Sequence, residues 1–273
     1  MIPRDFITEW RQQAPWPTDA QVEQDLVLSR ALVQIFQHPL LGNALAFRGG
    51  TAGHKLFLPT PARYSEDIDL VQVDAGPIGP VMSALRETLD SWLGNPRRSQ
   101  GEGRMAFLYR FESELPPVLP LRLKIEVNTR EHFTVMGHVT KTYTVQSRWF
   151  EGSAPIRSFE FEELLATKLR ALYQRRKGRD LFDLGIALQR GTLNTTKLVQ
   201  CFEEYMARNG ASVTRAQFEE NLMKKLATAD FGADLQQVLS GPALLDFNRR
   251  TAGEMVLRML IARLKGEPWQ GAL

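Results

Sequence analysis

Residues 49–69 read GGTAGHKLFLPTPARYSEDID, a glycine pair at the start of a helical segment and, further on, two aspartates at the start of a strand. Glycine lets the backbone of Gly49 and Gly50 approach an anion closely, and the unpaired N–H groups of a helix N-terminus favour negative charge. The helical character runs from Thr51 to Leu58, before Pro59. This pattern predicts a phosphate-binding turn, and plain turn chemistry is the ordinary alternative.

The two aspartates flank Ile68 and precede an apolar run, which predicts a strand over about 68–73. Because successive side chains of a strand point to opposite faces, Asp67 and Asp69 share one face while Ile68 enters the core. Two carboxylates this close repel each other unless a cation lies between them, and Mg²⁺ prefers carboxylate and phosphate oxygens. The pair predicts a magnesium site that faces the glycine turn. The alternative is a pair of surface aspartates at a turn.

Four segments together resemble the AbiEii/AbiGii toxin family of nucleotidyltransferases. They are the Gly49-Gly50-Thr51 turn, RYSEDIDL at 63–70, LATKLRAL at 165–172 and RDLFDL at 179–184. The resemblance spans residues 48–184 and implies a polymerase-beta-like nucleotidyltransferase core that depends on Mg²⁺. It also implies the toxin role of a two-gene toxin–antitoxin or phage-defence system, with a separately encoded antitoxin as partner.

The resemblance implies a role for each motif residue. The nucleotide-binding residues are expected to be Gly49, Gly50, Thr51, Ser65, Lys168 and Arg179, and the catalytic residues Asp67, Asp69, Lys168 and Asp183. An acceptor hydroxyl would attack the α-phosphate of a nucleoside triphosphate in line, with two Mg²⁺ ions held by the aspartates. Characterised relatives add nucleotides to the 3′ end of tRNA, so the resemblance implies an RNA acceptor and a block of translation.

A third metal ligand is expected on a neighbouring strand. The segment 121–128 alternates apolar and polar side chains, which predicts a strand with Lys124 and Glu126 on the same face. If this strand pairs beside the aspartate strand, Glu126 supplies the carboxylate that the superfamily places there, so the expected metal ligands are Asp67, Asp69 and Glu126. A simple Lys124–Glu126 surface pair is the alternative.

Lys168 lies within the apolar stripe of a helix predicted over 160–176. A lysine at such a position either extends to water or meets an anion. The resemblance implies that it meets the incoming triphosphate and neutralises the charge of the leaving pyrophosphate. On the next predicted helix, 180–190, we interpret Asp180 as the N-cap. For Asp183 the resemblance favours an active-site role, in orienting Lys168 or the acceptor hydroxyl.

The remaining pattern predicts an α+β chain with two domains. Residues 1–154 are expected to form the nucleotidyltransferase core, a mixed β-sheet flanked by helices, and 155–273 an α-helical bundle that contributes Lys168 and Asp183 to the active site. The first part has predicted helices at 4–14, 19–37 and 78–93, and predicted strands at 68–73, 105–112, 121–128 and 142–149. After a short strand at 156–159, helices are predicted at 160–176, 180–190, 195–208, 214–227, 231–239 and 242–264.

The composition fits an intracellular enzyme. At 273 residues and 43% hydrophobic content, the chain can bury one large core or two smaller ones, since domains commonly have ~100–200 residues. We expect a cytoplasmic protein without a membrane partner, because no apolar run approaches ~20 residues and the N-terminus lacks a signal-peptide pattern. Cys201 is the only cysteine, which excludes an internal disulfide and a multi-cysteine zinc site.

The net charge of +3 is too small to indicate a partner, but basic residues cluster locally. One cluster lies at 170–179, and a second, Arg97, Arg98 and Arg104, surrounds a predicted glycine-rich loop. Such clusters attract phosphate backbones without reading sequence, although a solvated helix end explains the first equally well. Two other functions stay open: transfer of a nucleotide or phosphate to a protein or small molecule, and a non-catalytic interaction module.

Overall fold

A seven-stranded mixed sheet occupies the first part of the chain in a computed structural model that describes residues 2–58, 62–239 and 246–271. Its strands are β1 (Leu45–Arg48), β2 (Asp67–Gln72), β3 (Arg97–Gly101), β4 (Arg104–Glu112), β5 (Pro120–Asn128), β6 (His138–Gln146) and β7 (Glu151–Phe159). They lie in the order β3-β4-β5-β2-β1-β7-β6. The β2–β5 and β1–β7 pairs are parallel and the other pairs are antiparallel. The mixed sheet expected from the sequence is therefore confirmed.

Helices cover one face of this sheet. They are α1 (Arg4–Trp10), α2 (Asp19–Gln37), α3 (Pro39–Ala44), α4 (Gly49–Ala52) and α5 (Gly79–Leu93), and a π-helical turn, Gly53–Phe57, continues α4. Helix α2 packs against β2, β5 and β7, and α5 packs against β4. These elements form a unit that spans Met1–Phe159. Within the described ranges, no helix combines the length and the apolar character that crossing a bilayer requires.

Element boundaries agree best where local signals are strong. Helix α2 has the predicted bounds, because Thr18 and Gln21 form a capping box at its start. The first unit ends after Phe159 rather than after residue 154, since β7 begins at Glu151 and includes Pro155. Strand β1 pairs with β7 at Ser158, three residues beyond Pro155. The missing N–H of Pro155 therefore does not interrupt the pairing of β7 with β1. Strand β6 begins four residues before its predicted start.

A buried polar network ties the π-helical turn to α2. The carboxylate of Asp25 is 1% exposed, and both its oxygens accept hydrogen bonds from Nζ of Lys55, at 2.7 and 2.8 Å. The indole N–H groups of Trp10 and Trp16 donate to the same carboxylate at 2.8 and 3.1 Å. The sequence predicted the helix but did not single out this aspartate. Because its charge is fully paired, Asp25 anchors the segment that follows the glycine turn.

The second unit, Glu160–Leu273, is helical in its described parts. Its helices are α6 (Phe161–Gln174), α7 (Gly178–Gln189), α8 (Thr195–Arg208), α9 (Arg215–Leu226) and α10 (Arg249–Met259). Helix α6 packs against α7, α8 and α9, and α10 packs against α7 and α9. The helix predicted over 231–239 is a 3₁₀ turn, Ala233–Gln237. The helix predicted over 242–264 is shorter, and residues 242–245 lie outside the described residues.

Candidate active site

The glycine turn lies directly against the aspartate strand. Strands β1 and β2 pair antiparallel with Arg48 opposite Asp69, which brings the next residue, Gly49, beside the Asp69 side chain. A Cβ atom built on Gly49 would lie 2.3 Å from Oδ2 of Asp69, and Gly49 has a φ of +82°. Both the contact and the positive φ require glycine, since any side chain would overlap the carboxylate and strain the backbone.

Two hydroxyl groups fasten this turn to the start of β2. Oγ1 of Thr51 donates to the backbone carbonyl of Asp67 at 2.6 Å and lies 2.7 Å from Oγ of Ser65. Because the hydroxyl proton of Thr51 goes to the carbonyl, Ser65 donates the second bond. The Thr51 side chain is buried and holds the turn in place. Since the Thr51 hydroxyl is already hydrogen-bonded, only the backbone N–H of Thr51 is suited to binding a phosphate.

Asp67 and Asp69 continue a row of charges on the sheet face opposite the core. Across the parallel β2–β5 pair, Asp67 is in register with Lys124 and Asp69 with Glu126. The strand pairing on which the expected role of Glu126 depends is therefore present. Nζ of Lys124 lies 2.6 Å from Oε2 of Glu126, which is the ion pair named as the alternative. A metal-binding role for Glu126 stays a prediction.

The electrostatics of the two aspartates fit a divalent cation. Burial raises the pKa of Asp67 to about 6, and the negative charges of Asp69 and Glu66 add to this effect. Mg²⁺ is commonly held by one or two carboxylates together with substrate phosphates, so this pair suffices as a protein ligand set. Among the described residues, no group of three or more His, Cys, Asp or Glu side chains is arranged to hold a metal ion.

We expect Asp67 to titrate near pH 6 in the metal-free protein. Its pKa is about 6 in the folded chain against an ordinary value of 3.8, so the folded chain holds a proton that the unfolded chain releases between these values. The free energy of unfolding therefore falls as the pH rises through this window. Urea unfolding in EDTA, from about pH 4 to about pH 7, compares the wild type with Asp67→Asn. A difference between the two proteins that does not change with pH would contradict the shift.

A cluster of buried charges surrounds Lys168 in the second unit. Nζ of Lys168 lies 3.1 Å from Oδ2 of Asp183 and 3.4 Å from Oδ1 of Asp180. Arg175 donates to the two oxygens of Asp180 from Nε and Nη2, at 2.7 and 2.9 Å. Lys168 thus meets anions of its own unit instead of extending to water. The contact with Asp183 supports an orienting role for that carboxylate, which stays a prediction.

The interpretation of Asp180 as an N-cap is wrong. Helix α7 begins at Gly178, so Asp180 lies inside the first turn, and its side chain is fully buried. Burial by itself would raise the pKa of Asp180, but hydrogen bonds from Arg175 and the charge of Lys168 outweigh it, and this pKa is lowered. The N–H group of Gly178 donates to Oδ1 of Asp234 at 2.8 Å, so a distant carboxylate occupies the helix N-terminus.

Sequence reasoning missed the partners that arrange this cluster. Arg175 was noted only as part of a basic group, and Asp234 was not singled out, because more than 50 residues separate it from the turn it binds. Arg179, predicted to contact phosphate, lies in the same turn with a partly exposed side chain. Its backbone N–H lies 3.4 Å from Oδ2 of Asp234. The spacing of Asp180 and Asp183 was the one local signal for the cluster.

Comparison with known families identifies the chain. The family model described as "Nucleotidyl transferase AbiEii toxin, Type IV TA system" matches residues 30–252. The chain belongs to the AbiEii family. The match includes the glycine turn, the aspartate strand and the Lys168 cluster. As a member of the AbiEii family the chain is a nucleotidyltransferase, and the family implies a nucleotide substrate and a separate antitoxin.

Solved structures share the fold of this AbiEii family member. MenT4, a nucleotidyltransferase toxin from Mycobacterium tuberculosis H37Rv, has a TM-score of 0.71 at 16% identity, covering 97% of this chain and 91% of that chain. A putative nucleotidyltransferase from H. pylori has a TM-score of 0.55 at 17% identity, covering 89% and 95%. JHP933 from Helicobacter pylori has a TM-score of 0.50 at 14% identity, covering 89% and 92%. No curated protein matches the chain in sequence.

Proposed function

We propose that the chain is a cytoplasmic toxin that transfers a nucleoside monophosphate from a nucleoside triphosphate to RNA, at the 3′ end of tRNA, and so blocks translation. The contact between Gly49 and the Asp69 carboxylate is the observation that carries the proposal. It joins an anion-binding helix start to a metal-binding carboxylate pair within one unit. The RNA acceptor is supported by the resemblance to characterised relatives.

In the first unit, the proposed reaction divides the work among residues of the turn and the strand. The backbone N–H groups of Gly50 and Thr51 lack helical partners and are suited to the β and γ phosphates. Asp67 and Asp69 are the proposed ligands of Mg²⁺, with Glu126 as a third once Lys124 turns to a phosphate. The bound metal would supply charge stabilisation for the attacking and leaving oxygens of the transfer. Thr51 and Ser65 keep the turn against β2.

In the second unit, we assign the ammonium of Lys168 to stabilising the charge of the leaving pyrophosphate. Asp183 fixes its direction through the 3.1 Å contact. Asp180 is already bound by Arg175 and so supports the cluster instead of reacting. Arg179 is the proposed contact to a further phosphate oxygen. These roles follow from the motif resemblance and from the arrangement of charges around Lys168.

We expect Lys168→Gln to lower transfer by about 10²-fold or more with little change in stability, because the amide keeps a hydrogen-bond donor but loses the charge. Lys225→Gln is the matched control. Nζ of Lys225 donates to the carbonyls of Leu172 and Tyr173 at the end of α6, so its replacement should lower stability and leave transfer per folded molecule unchanged. Steady-state kinetics and urea unfolding of both variants measure this. Retained transfer in Lys168→Gln would refute the assignment.

A transfer screen tests the proposed function. The purified protein is incubated with each labelled ribonucleoside triphosphate and either bulk tRNA or a protein lysate, with Asp69→Asn as the inactive control. We expect label at the 3′ end of tRNA, and no label after periodate has oxidised the terminal ribose. Label confined to protein or to a small molecule would remove the RNA acceptor. The absence of label from every fraction, with Mg²⁺ or Mn²⁺ present, would remove the transfer activity itself.

A further inference from the structure

The structure divides the second basic cluster, Arg97, Arg98 and Arg104, between the two faces of the sheet. Residues 97–101, predicted as a loop, form the edge strand β3, which pairs with β4. Arg97 is opposite Leu108 and Arg98 is opposite the buried Phe107. Leu108 is in turn opposite Lys124 on β5, and Lys124 is in register with Asp67. Arg97 therefore shares the face of the aspartates, and Arg98 lies on the other face.

This row runs across four adjacent strands from Arg97 to Asp67. Neighbouring strands lie ~4.8 Å apart, so three strand-to-strand distances place Arg97 about 14 Å from Asp67. Two rows further towards the β3–β4 turn, Arg104 is opposite Asn128, again on the face of the aspartates. Both Arg97 and Arg104 are exposed. The face that helices α2 and α5 leave uncovered thus carries cations that lead towards the catalytic carboxylates.

A pair of arginines on the same face lacks the charge balance expected of a strand pair. Arg110 on β4 and Arg122 on β5 are directly opposite each other. Like charges at opposed positions destabilise a sheet unless an anion lies between them. Arg122 contacts Oε1 of Glu66 through Nη2 at 2.8 Å. Arg110 is exposed, and no carboxylate of the described residues forms an ion pair with it. The pair therefore retains capacity for a further anion.

A groove of about 620 Å³ opens beside this arginine pair. Its lining includes Arg110, Arg122, Glu66 and Glu112, together with Gln24 of α2 and with Phe111 and Leu121, which by strand alternation belong to the helix-covered face. Guanidinium groups bind phosphate oxygens in a two-pronged geometry. Glu66 already pairs with Arg122, so the two guanidinium groups have room for one phosphate of a nucleic-acid backbone between them.

We propose that the sheet face bearing Arg97, Arg110 and Arg122 binds the backbone of the acceptor RNA, with one phosphate between Arg110 and Arg122. The inference rests on the proposed function, because it takes the acceptor to be RNA. The exposed arginines of the face, Arg97, Arg104 and Arg110, are complementary to a chain of phosphates, and their rows lead towards Asp67 and Asp69. An acidic protein surface offers no such series of phosphates. The bound strand would be held beside the carboxylates that serve the transfer.

Direct RNA binding in the absence of nucleotide tests this inference independently of catalysis. Arg110→Glu is compared with Arg98→Glu, which makes the same charge change at an exposed arginine of the adjacent strand, on the opposite face. We expect Arg110→Glu to raise the Kd for a labelled tRNA about tenfold and to reduce the slope of log K against log salt by about 0.7, the value for one single-strand phosphate contact. Arg98→Glu should match the wild type.

Transfer kinetics complete the test. In Arg110→Glu the KM for acceptor should rise, whereas the KM for nucleoside triphosphate stays unchanged. Two results would overturn the inference without affecting the transfer activity. Arg110→Glu could bind RNA as tightly as the wild type, or Arg98→Glu could weaken RNA binding as much as Arg110→Glu does. A rise in the nucleotide KM alone would assign the arginine pair to the triphosphate and also overturn it. Binding to an acidic protein but not to RNA would replace the proposed partner. RNA binding that follows the expected pattern in all three proteins, with no transfer by the wild type, would contradict the proposed function and leave the RNA-binding face standing.

Discussion

We expect Asp69→Asn to lower kcat/KM for nucleotide transfer by about 10³-fold or more. The amide preserves the shape of the side chain beside Gly49 but cannot supply the negative charge that holds a divalent cation. Asp69 contributes to the raised pKa of Asp67, so the substitution also removes repulsion and should leave the free energy of unfolding unchanged or slightly higher. Steady-state kinetics with saturating Mg²⁺ and urea unfolding of the metal-free protein measure both effects.

Asp74→Asn is the matched control for this variant. Asp74 follows β2 and is exposed, so the same chemical change occurs near the same strand without touching the carboxylate pair. It should behave as the wild type in both measurements. If Asp69→Asn kept more than about a tenth of the activity, a difference of only ~1.4 kcal/mol, the metal-binding assignment would fail. Activity lost in proportion to unfolded protein would instead indicate a structural role.

We expect Gly49→Ala to abolish transfer and to destabilise the protein by about 2–4 kcal/mol. A φ of +82° disfavours any L-residue by about 1–2 kcal/mol, and the new methyl group would overlap Oδ2 of Asp69. Relief of this overlap must move either the turn or the carboxylate, and both movements separate the phosphate-binding N–H groups from the metal ligands. Urea unfolding and the KM for nucleotide, where activity remains measurable, test the expectation.

Gly94→Ala separates the two contributions. Gly94 has a φ of +78°, close to that of Gly49, but a Cβ built on it has no atom within 4 Å. Its replacement should therefore show only the conformational penalty, about 1–3 kcal/mol for a backbone with ψ of −167°, with normal transfer. The difference between the two variants measures the contact with Asp69. If Gly49→Ala and Gly94→Ala had the same free energy of unfolding and the same transfer activity, the contact between residue 49 and Asp69 would not contribute to function.

Local sequence signals predicted much of the first unit. Helical periodicity predicted the bounds of α2, and strict alternation predicted β5. Alternation also placed Asp67 and Asp69 on one face, because the two-residue period of a strand is a property of the backbone. Strand β3 was missed, since arginine, serine and glycine have weak strand propensity and its pairing with β4 alone makes it a strand.

The ion-pair and hydrogen-bond partners of individual side chains were much harder to predict from the sequence. The sequence left Glu126 between a metal and Lys124, and only the side-chain positions show the ion pair. It placed Asp180 at a helix cap because cap rules are local, whereas the actual anion at that helix start, Asp234, comes from a distant 3₁₀ turn. The buried pair of Asp25 and Lys55 joins two segments 30 residues apart. Such pairings depend on which segments fold against each other.

The sequence by itself determined the order of the motifs, the shared face of Asp67 and Asp69, and the helical character of the second half. These follow from backbone periodicity and from the restricted conformations of glycine and proline, which act within a few residues. Only the tertiary structure decided that Gly49 abuts Asp69, that Asp180 holds Lys168 and Arg175, and that Arg97 and Arg98 lie on opposite faces beside different neighbours. Those contacts arise from strand register and helix packing between segments remote in sequence, which no local pattern encodes.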